Sequence, residues 1–494
     1  MSLTRRRLLK ISAQAGLGSL TLAAARGLFG ETTGVAAQPT GAREIRLEIR
    51  EIRWELAPGK VVRALTYNGR VPGPEIRLKE GEFVRVILHN ALAAPTAIHW
   101  HGIDEPTRRH VHGVPHQLIP GGATFTYEFV ARPAGTRWYH RVHFGEGIDL
   151  GQAAPLIIEP AQPDPFPFDR EVTVVLDDWA TGTSRPLPLT FAGTAGARGS
   201  AGGMMARMSM GPMGCGMAVA GPATPQYDTM SINGKAFPAT EPLSIREGER
   251  VRFRLVNASA MHTHLVRLAG HSLEVTHTDG NPLQEAVEVD ALPIAPAERY
   301  DVLIKAGRPG VWPLYCAQPG HAAAGEQVMV VYEGHKGTRP APPAIGAPTP
   351  RVWRYELGRG RPLLPPASGA VRNVHLTLSG AMMQTDAWTI NGKRYPATDP
   401  LDVRQGDHVR VLLTNMSMAS HPIHLHGQSF NVVAVNGAQL PAPLVKDTVD
   451  VEPHMGSVLI EFPALYPGVW MLHCHKEVHT NGGMSTLVRV AERT

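Results

Sequence analysis

Three stretches of the chain alternate apolar and polar residues with period two, and each follows an Asn-Gly pair. Asn68-Gly69 leads through Gly81 to Val84-Arg85-Val86 and Asn90. Asn233-Gly234 leads through Gly248 to Val251-Arg252-Phe253 and Asn257, and Asn391-Gly392 through Gly406 to Val409-Arg410-Val411 and Asn415. The alternation predicts strands buried on one face, and Asn-Gly predicts a tight turn before each. The units also end alike. Gly135-Thr136-Arg137-Trp138, Gly310-Val311-Trp312 and Gly468-Val469-Trp470 each open a closing strand. A supersecondary unit used three times predicts an all-β chain of three β-sandwich domains, at 42–160, 171–334 and 350–494. The Pro-rich stretch 338–350 is the second linker.

Composition agrees with this reading. The 494 residues, 43% hydrophobic, suffice for two to four domains with full cores. Gly 51 and Pro 43 suit short strands and turns better than long helices. One segment breaks the pattern: in 187–226, Met204, Met205, Met208, Met210, Met213, Cys215 and Met217 fall among small residues. This insert, about 203–217, reads equally as a flexible low-complexity loop and as a soft-donor surface for Cu(I).

The N-terminus carries its own signal. Thr4-Arg5-Arg6-Arg7-Leu8-Leu9-Lys10 precedes an apolar run, and Val35-Ala36-Ala37 offers a cleavage site. Residues 1–37 are expected to be a twin-arginine export signal, which places the protein in the periplasm or outside the cell. The signal holds five basic residues and one acid, so its removal takes the net charge from +5 to +1. Charge therefore points to no nucleic-acid or membrane partner. Cys215, Cys316 and Cys474 are an odd, widely spaced set, which predicts no disulfide framework.

The chemistry is concentrated in histidines, 23 in all. His473-Cys474-His475, His479 and Met484 lie close together near the C-terminus, and His421-Pro-Ile-His424-Leu-His426 lies upstream. A thiolate, two imidazoles and a weak axial thioether form a blue-copper electron-transfer site, here Cys474, His421, His479 and Met484. His424, His426, His473 and His475 remain, with His99, His101, His140 and His143 far upstream. Those eight imidazoles are enough for three further copper ions. His99 follows Asn90 by nine residues, as His424 follows Asn415, so the two motifs occupy equivalent places in the first and third units.

These motifs resemble those of three-domain multicopper oxidases, the laccase-like family, over the chain from about Ile45 onward. The resemblance implies three cupredoxin-like Greek-key sandwiches and four copper ions. It implies a type 1 copper on His421, Cys474, His479 and Met484, and a type 2 copper on His99 and His424. A type 3 pair would take His101, His140, His426, His473 and His475, plus one more ligand. It also implies that electrons taken one at a time pass through Cys474 to His473 and His475, and that four of them reduce O2 to water. This sequence departs from the family pattern in three places. His140 and His143 stand where the family has His-x-His. On a regular strand that spacing turns the rings to opposite faces, and a one-residue bulge restores the aim. The stretch 144–156 continues the family pattern shifted by one residue, so His143 is the expected ligand. His112 precedes Gly113-Val114-Pro115 where the family usually has Asp, and Thr480 follows His479 where one branch has an acid. In the family both positions are associated with proton supply, and His112, an imidazole whose unperturbed pKa lies near neutrality, is the expected donor. His110 and His116 are expected on the surface.

The middle unit keeps part of the same pattern. Cys316 follows Gly310 by six residues, as Cys474 follows Gly468, and His264 and His321 keep close to the spacing of His421 and His479. Glu326 stands in the place of Met484, and Tyr315 and Ala317 replace the flanking histidines. The reading is a relic of the repeat, with Cys316 a small buried apolar residue.

Two substrates fit an oxidase of this kind that uses O2: phenols or aromatic amines, and Cu(I). Met416 and Met418, just before His421, and the Met-rich insert favour Cu(I). A non-enzymatic alternative, a copper-depleted cupredoxin-repeat protein, conflicts with the retention of Cys474 and the histidine register. A monomer is expected.

Overall fold

The computed structural model describes residues 42–104, 118–142, 150–182, 226–340, 349–365, 367–380 and 387–493. The export segment, the Met-rich insert, His110, His112, His116 and His143 lie outside the described residues. Strands dominate: six sheets are formed, and the one α-helix among the described residues is Glu477–Asn481. Among the described residues no helix is long and apolar enough to cross a membrane.

The sheets come in three pairs with one repeated topology. In one sheet of each pair a long first strand lies parallel to the alternating strand: Arg43–Ala57 with Phe83–Asn90, Arg170–Trp179 with Arg250–Asn257, Val371–Gly380 with His408–Asn415. In the other sheet a short strand lies parallel to the last one: Ile76–Lys79 with Ala153–Glu159, Leu243–Ile245 with Gln327–Tyr332, Leu401–Arg404 with Ser485–Ala491. Each Asn-Gly forms the expected turn. Asn68, Asn233 and Asn391 have φ of 54°, 50° and 51°, and the glycines after them 70°, 74° and 75°. Two successive left-handed residues match the strand twist, and Asn and Gly adopt them at least cost.

The alternation meets its expected fate in the outer sandwiches. Val84 and Val86, like Val409 and Val411, are fully buried, while Arg85 and Arg410 face outward to Glu128 and Glu461. The middle strand differs: Arg252 and Arg254 are buried as well as Val251 and Phe253. Its second face is covered. Arg252 donates to Asp164 (2.8 Å), and Arg254 donates to Asp301 (2.9 Å) and to Thr136 of the first sandwich (2.8 Å).

The three sandwiches meet at a buried ionic junction. Arg137 comes from the first, Asp279, Glu298 and Arg299 from the second, Lys446 and Asp447 from the third. Arg299 grips Asp447 with two bonds of 2.6 Å, and Arg137 lies 3.6 Å from the same carboxylate. Lys446 lies 3.1 Å from both Asp279 and Glu298. None of these six side chains is more than 3% exposed, so three cations and three anions neutralise one another out of water. Such a set is tolerable only when complete, because a single removal strands a buried charge.

Candidate metal centres

Of the predicted set, the described histidines and Cys474 lie on or just past four strands, except His479, which lies on the helix Glu477–Asn481. Ile98–His101 pairs antiparallel with Gly135–Arg141, placing His99 opposite His140. His421–Leu425 pairs antiparallel with Gly468–Cys474, placing His424 opposite His473 and Ile423 opposite Cys474. Paired residues share a face, and neighbours along a strand alternate faces. His421 and Cys474 therefore share one face of this strand pair, and His424 and His473 share the other. His426 and His475 follow the second face by the same alternation.

On the first face three donors meet without exposure. Cys474 Sγ lies 3.4 Å from His479 Nδ1 and 3.7 Å from His421 Nδ1, and the two ring nitrogens are 3.0 Å apart. Met484 is fully buried, its N–H bonded to the carbonyl of His479 and its carbonyl to the N–H of Cys474. Ser417 Oγ lies 2.7 Å from His421 Nε2, which leaves Nδ1 turned toward the sulfur. Trp388 stacks on His479 with ring centres 3.6 Å apart. Burial pushes the Cys474 thiol up to about 12, and burial, helped by Lys476, holds His421 down to about 3.

On the second face the histidines approach nitrogen to nitrogen: His99 and His424 at 3.1 Å, His426 and His473 at 3.0 Å, His101 and His140 at 3.4 Å. His475 joins His101 and His140 in one buried group. On four of the rings the other nitrogen is engaged. His424 Nδ1 faces the carbonyl of Asp447 (2.8 Å), His473 Nδ1 that of Cys474 (2.8 Å), His140 Nδ1 that of Arg141 (2.7 Å). His101 Nε2 faces the Asp447 carboxylate at 3.0 Å. These are acceptors, so each ring carries its proton on that side and turns a lone pair inward. His101 Nδ1 and His140 Nε2 thus present lone pairs to each other, an arrangement that repels unless a cation lies between. Burial, then Arg299, holds His101 well below the usual imidazole range, so the ring is neutral. Buried imidazoles, four of them with the outer nitrogen tied down, suit copper, and the thiolate set suits a blue-copper ion.

Several participants were not foreseen from the sequence. Asp447 links the ionic junction to His101, and Thr448 Oγ1 approaches both His101 and His424 at 3.2 Å. The adjacent charges Lys446-Asp447, where one strand ends and the next begins, were the available signal. Asp104, three residues after His101, is pushed up to about 7, chiefly by burial of its carboxyl. Beside the Cys474 face, the backbone of Asn415–Ser417 pairs with that of His454–Gly456. This loop pair carries Met416, Met418 and Met455, which are 45%, 75% and 62% exposed. His454 and Met455 both have positive φ, 59° and 72°.

Comparison with known proteins covers most of the chain. Residues 48–163, 197–335 and 370–494 each match a family profile described as multicopper oxidase. The multicopper oxidase MmcO of Mycobacterium tuberculosis is 34% identical, over 94% of this chain and 91% of its own length. Copper resistance protein A of Escherichia coli is 26% identical, over 98% of this chain and all of the relative. Among solved structures, the laccase of Botrytis aclada has the same fold, with a TM-score of 0.70 at 23% identity over 91% of this chain and 87% of that one.

Proposed function

The chain belongs to the multicopper oxidase family, and from that premise we propose that it oxidises Cu(I) at the Cys474 face and reduces O2 to water at the opposite face. The observation that carries this reading is the two-faced strand pair: Cys474 sits on one side of it and is bonded in sequence to His473 and His475, whose rings belong to the other. Copper bound there supplies one-electron acceptance on the first face and multi-electron reduction of O2 on the second.

His421, Cys474, His479 and Met484 would hold one ion. His99 and His424 would hold a second. His101, His140, His426, His473 and His475, with His143, would hold a pair. Ser417 and Asp447 fix the aim of His421 and His101 through their outer nitrogens. Reduction of O2 consumes protons. His112 is the proposed donor, and Asp104, whose carboxyl loses its proton near 7, is a second group able to give one at neutral pH.

The choice of Cu(I) rests on Met416, Met418 and Met455, three exposed thioethers on the loops beside His421. Soft donors select Cu(I). A left-handed Met455 is sterically costly and gains no burial in return, which is typical of a functional position. Exported by its twin-arginine signal, the enzyme would meet that ion outside the cytoplasm. Replacing the three methionines together by leucine preserves volume. It should raise KM for Cu(I) about tenfold or more, the loss of about 1.4 kcal/mol of ion binding, and leave turnover of a phenolic dye unchanged. Equal losses for both substrates would remove the case for Cu(I).

A further inference from the structure

The middle sandwich contains a second set of convergent ligands, separate from those above. His264, Cys316, His321 and Glu326 are buried with one donor atom each mutually within 4.8 Å. Cys316 Sγ lies 3.3 Å from His321 Nδ1. Glu326 approaches His264 Nδ1 at 2.7 Å and His321 Nδ1 at 3.2 Å. The N–H groups of Leu265 and Gln318 point at the sulfur, at 3.2 and 3.5 Å. Cys316 is therefore not an apolar filler; its sulfur is placed among donors.

The resemblance to the Cys474 face extends to its supports. His264–Leu268 pairs with Val311–Cys316 so that Val266 lies opposite Cys316, and Ile423 lies opposite Cys474 in the same register. Ser259 Oγ lies 2.6 Å from His264 Nε2, as Ser417 Oγ lies 2.7 Å from His421 Nε2. Asn257 and Asn415 each accept from the N–H of that serine. Gly325 before Glu326 and Gly483 before Met484 have φ of 112° and 111°. A decayed site loses the groups that aim its ligands, and here the serine, the asparagine and the glycine turn remain.

We propose that this cluster is a fifth metal site, holding a divalent, borderline-soft ion, Cu(II) or Zn(II), on Cys316 Sγ, His264 Nδ1, His321 Nδ1 and the Glu326 carboxylate. The donor set selects the charge. A thioether favours Cu(I), whereas a carboxylate is hard and anionic and, with one thiolate, balances a 2+ ion in a dry pocket. Four ligands of the types N, N, S and O also suit tetrahedral zinc. An entry path exists: the His321 side chain is 12% exposed, and His262, itself 34% exposed, stands edge-on to it at 5.0 Å. Tyr315 and Ala317 flank Cys316, so no histidine beside this thiolate leads to the other centres. The ion would bind and brace the middle sandwich without passing electrons onward.

The test uses the full-length protein with Cys474→Ser, which removes the other thiolate site, compared with Cys474→Ser/Cys316→Ser. Each is stripped, reloaded with Cu(II) or Zn(II), desalted and analysed for metal. The single variant should retain one equivalent more than the double. If that ion is Cu(II), the single variant should show thiolate-to-copper absorption. If it is Zn(II), Co(II) substitution should show the thiolate band instead. Should the double variant misfold, Cys474→Ser/His321→Gln, altered at the exposed rim of the cluster, replaces it. Equal metal contents, with no thiolate band under Cu(II) or Co(II), would overturn the proposal and make the cluster a hydrogen-bonded remnant.

Discussion

Replacing Asp447 by Asn tests the ionic junction and the centre it supports at once. The substitution keeps size and shape, so no cavity forms, but it removes one of three anions facing three cations. Arg299 loses the charged partner of two 2.6 Å bonds and Arg137 loses its counter-charge at 3.6 Å, all out of water. Breaking one member of a buried ion set costs about 3–5 kcal/mol. That is a large share of the roughly 5–15 kcal/mol that holds a folded domain together. His101 also exchanges a carboxylate for an amide opposite Nε2. Loss of such an outer partner lowers metal affinity by about 10–100-fold. The assay is urea unfolding of the metal-free protein, followed by tryptophan fluorescence and circular dichroism together, with a copper competition titration alongside. The cycle is closed with Arg299→Gln and the double variant, which restores neutrality and should lose much less than the sum of the singles. A loss below about 1 kcal/mol for Asp447→Asn, or additive singles, would refute the claim that the junction acts as one neutral unit.

Other expectations follow from the same geometry. Cys474→Ser should abolish blue absorption and steady-state oxidation while leaving the far-ultraviolet circular dichroism unchanged; persistent turnover with O2 would contradict the role given to Cys474. Because the Cys474 thiol is held near 12 and His421 near 3, the metal-free site at neutral pH carries one displaceable proton, on sulfur. Copper uptake should release that proton, so affinity should rise about tenfold per pH unit, and an affinity flat between pH 6 and 8 would count against this protonation state. Deleting Val142 should leave copper content near the natural value if a bulge already aims His143 at the cluster; a clear rise would mean that His143 points away.

The fold and the clustering of the described candidate histidines with one another and with Cys474 were legible in the sequence for a shared reason. Asn-Gly turns, period-two alternation and clustered His, Cys and Met are chemically specific, and few other structures use them at those spacings. The junction was not legible. Beyond the adjacent charges Lys446-Asp447, nothing in the pattern joins Arg137 and Arg299 to them until strands distant in sequence are brought against one another. Arg252 and Arg254 were hidden for the same reason, because burial of a strand's second face is decided by the neighbouring sandwich and not by its own pattern. In the middle unit, spacing revealed the repeats of Asn257 and Cys316 but not that Asn257, through Ser259, still supports His264.

The single layer of backbone between His421 and His424 also bears on how such a chain can change. In the proposed reading, the molecule that docks at the outer face is chosen by exposed loop side chains such as Met416, Met418 and Met455, while His424 and His473 lie on the other face of the strand pair. Mutation can therefore rewrite the clientele of the enzyme without disturbing the inner chamber. If the proposed division of labour holds, the same partition would act as a filter, because a bulky organic molecule would need only to lend an electron at the outer face. Variation in one family between metal ions and aromatic molecules is then a matter of resurfacing one side of a sheet.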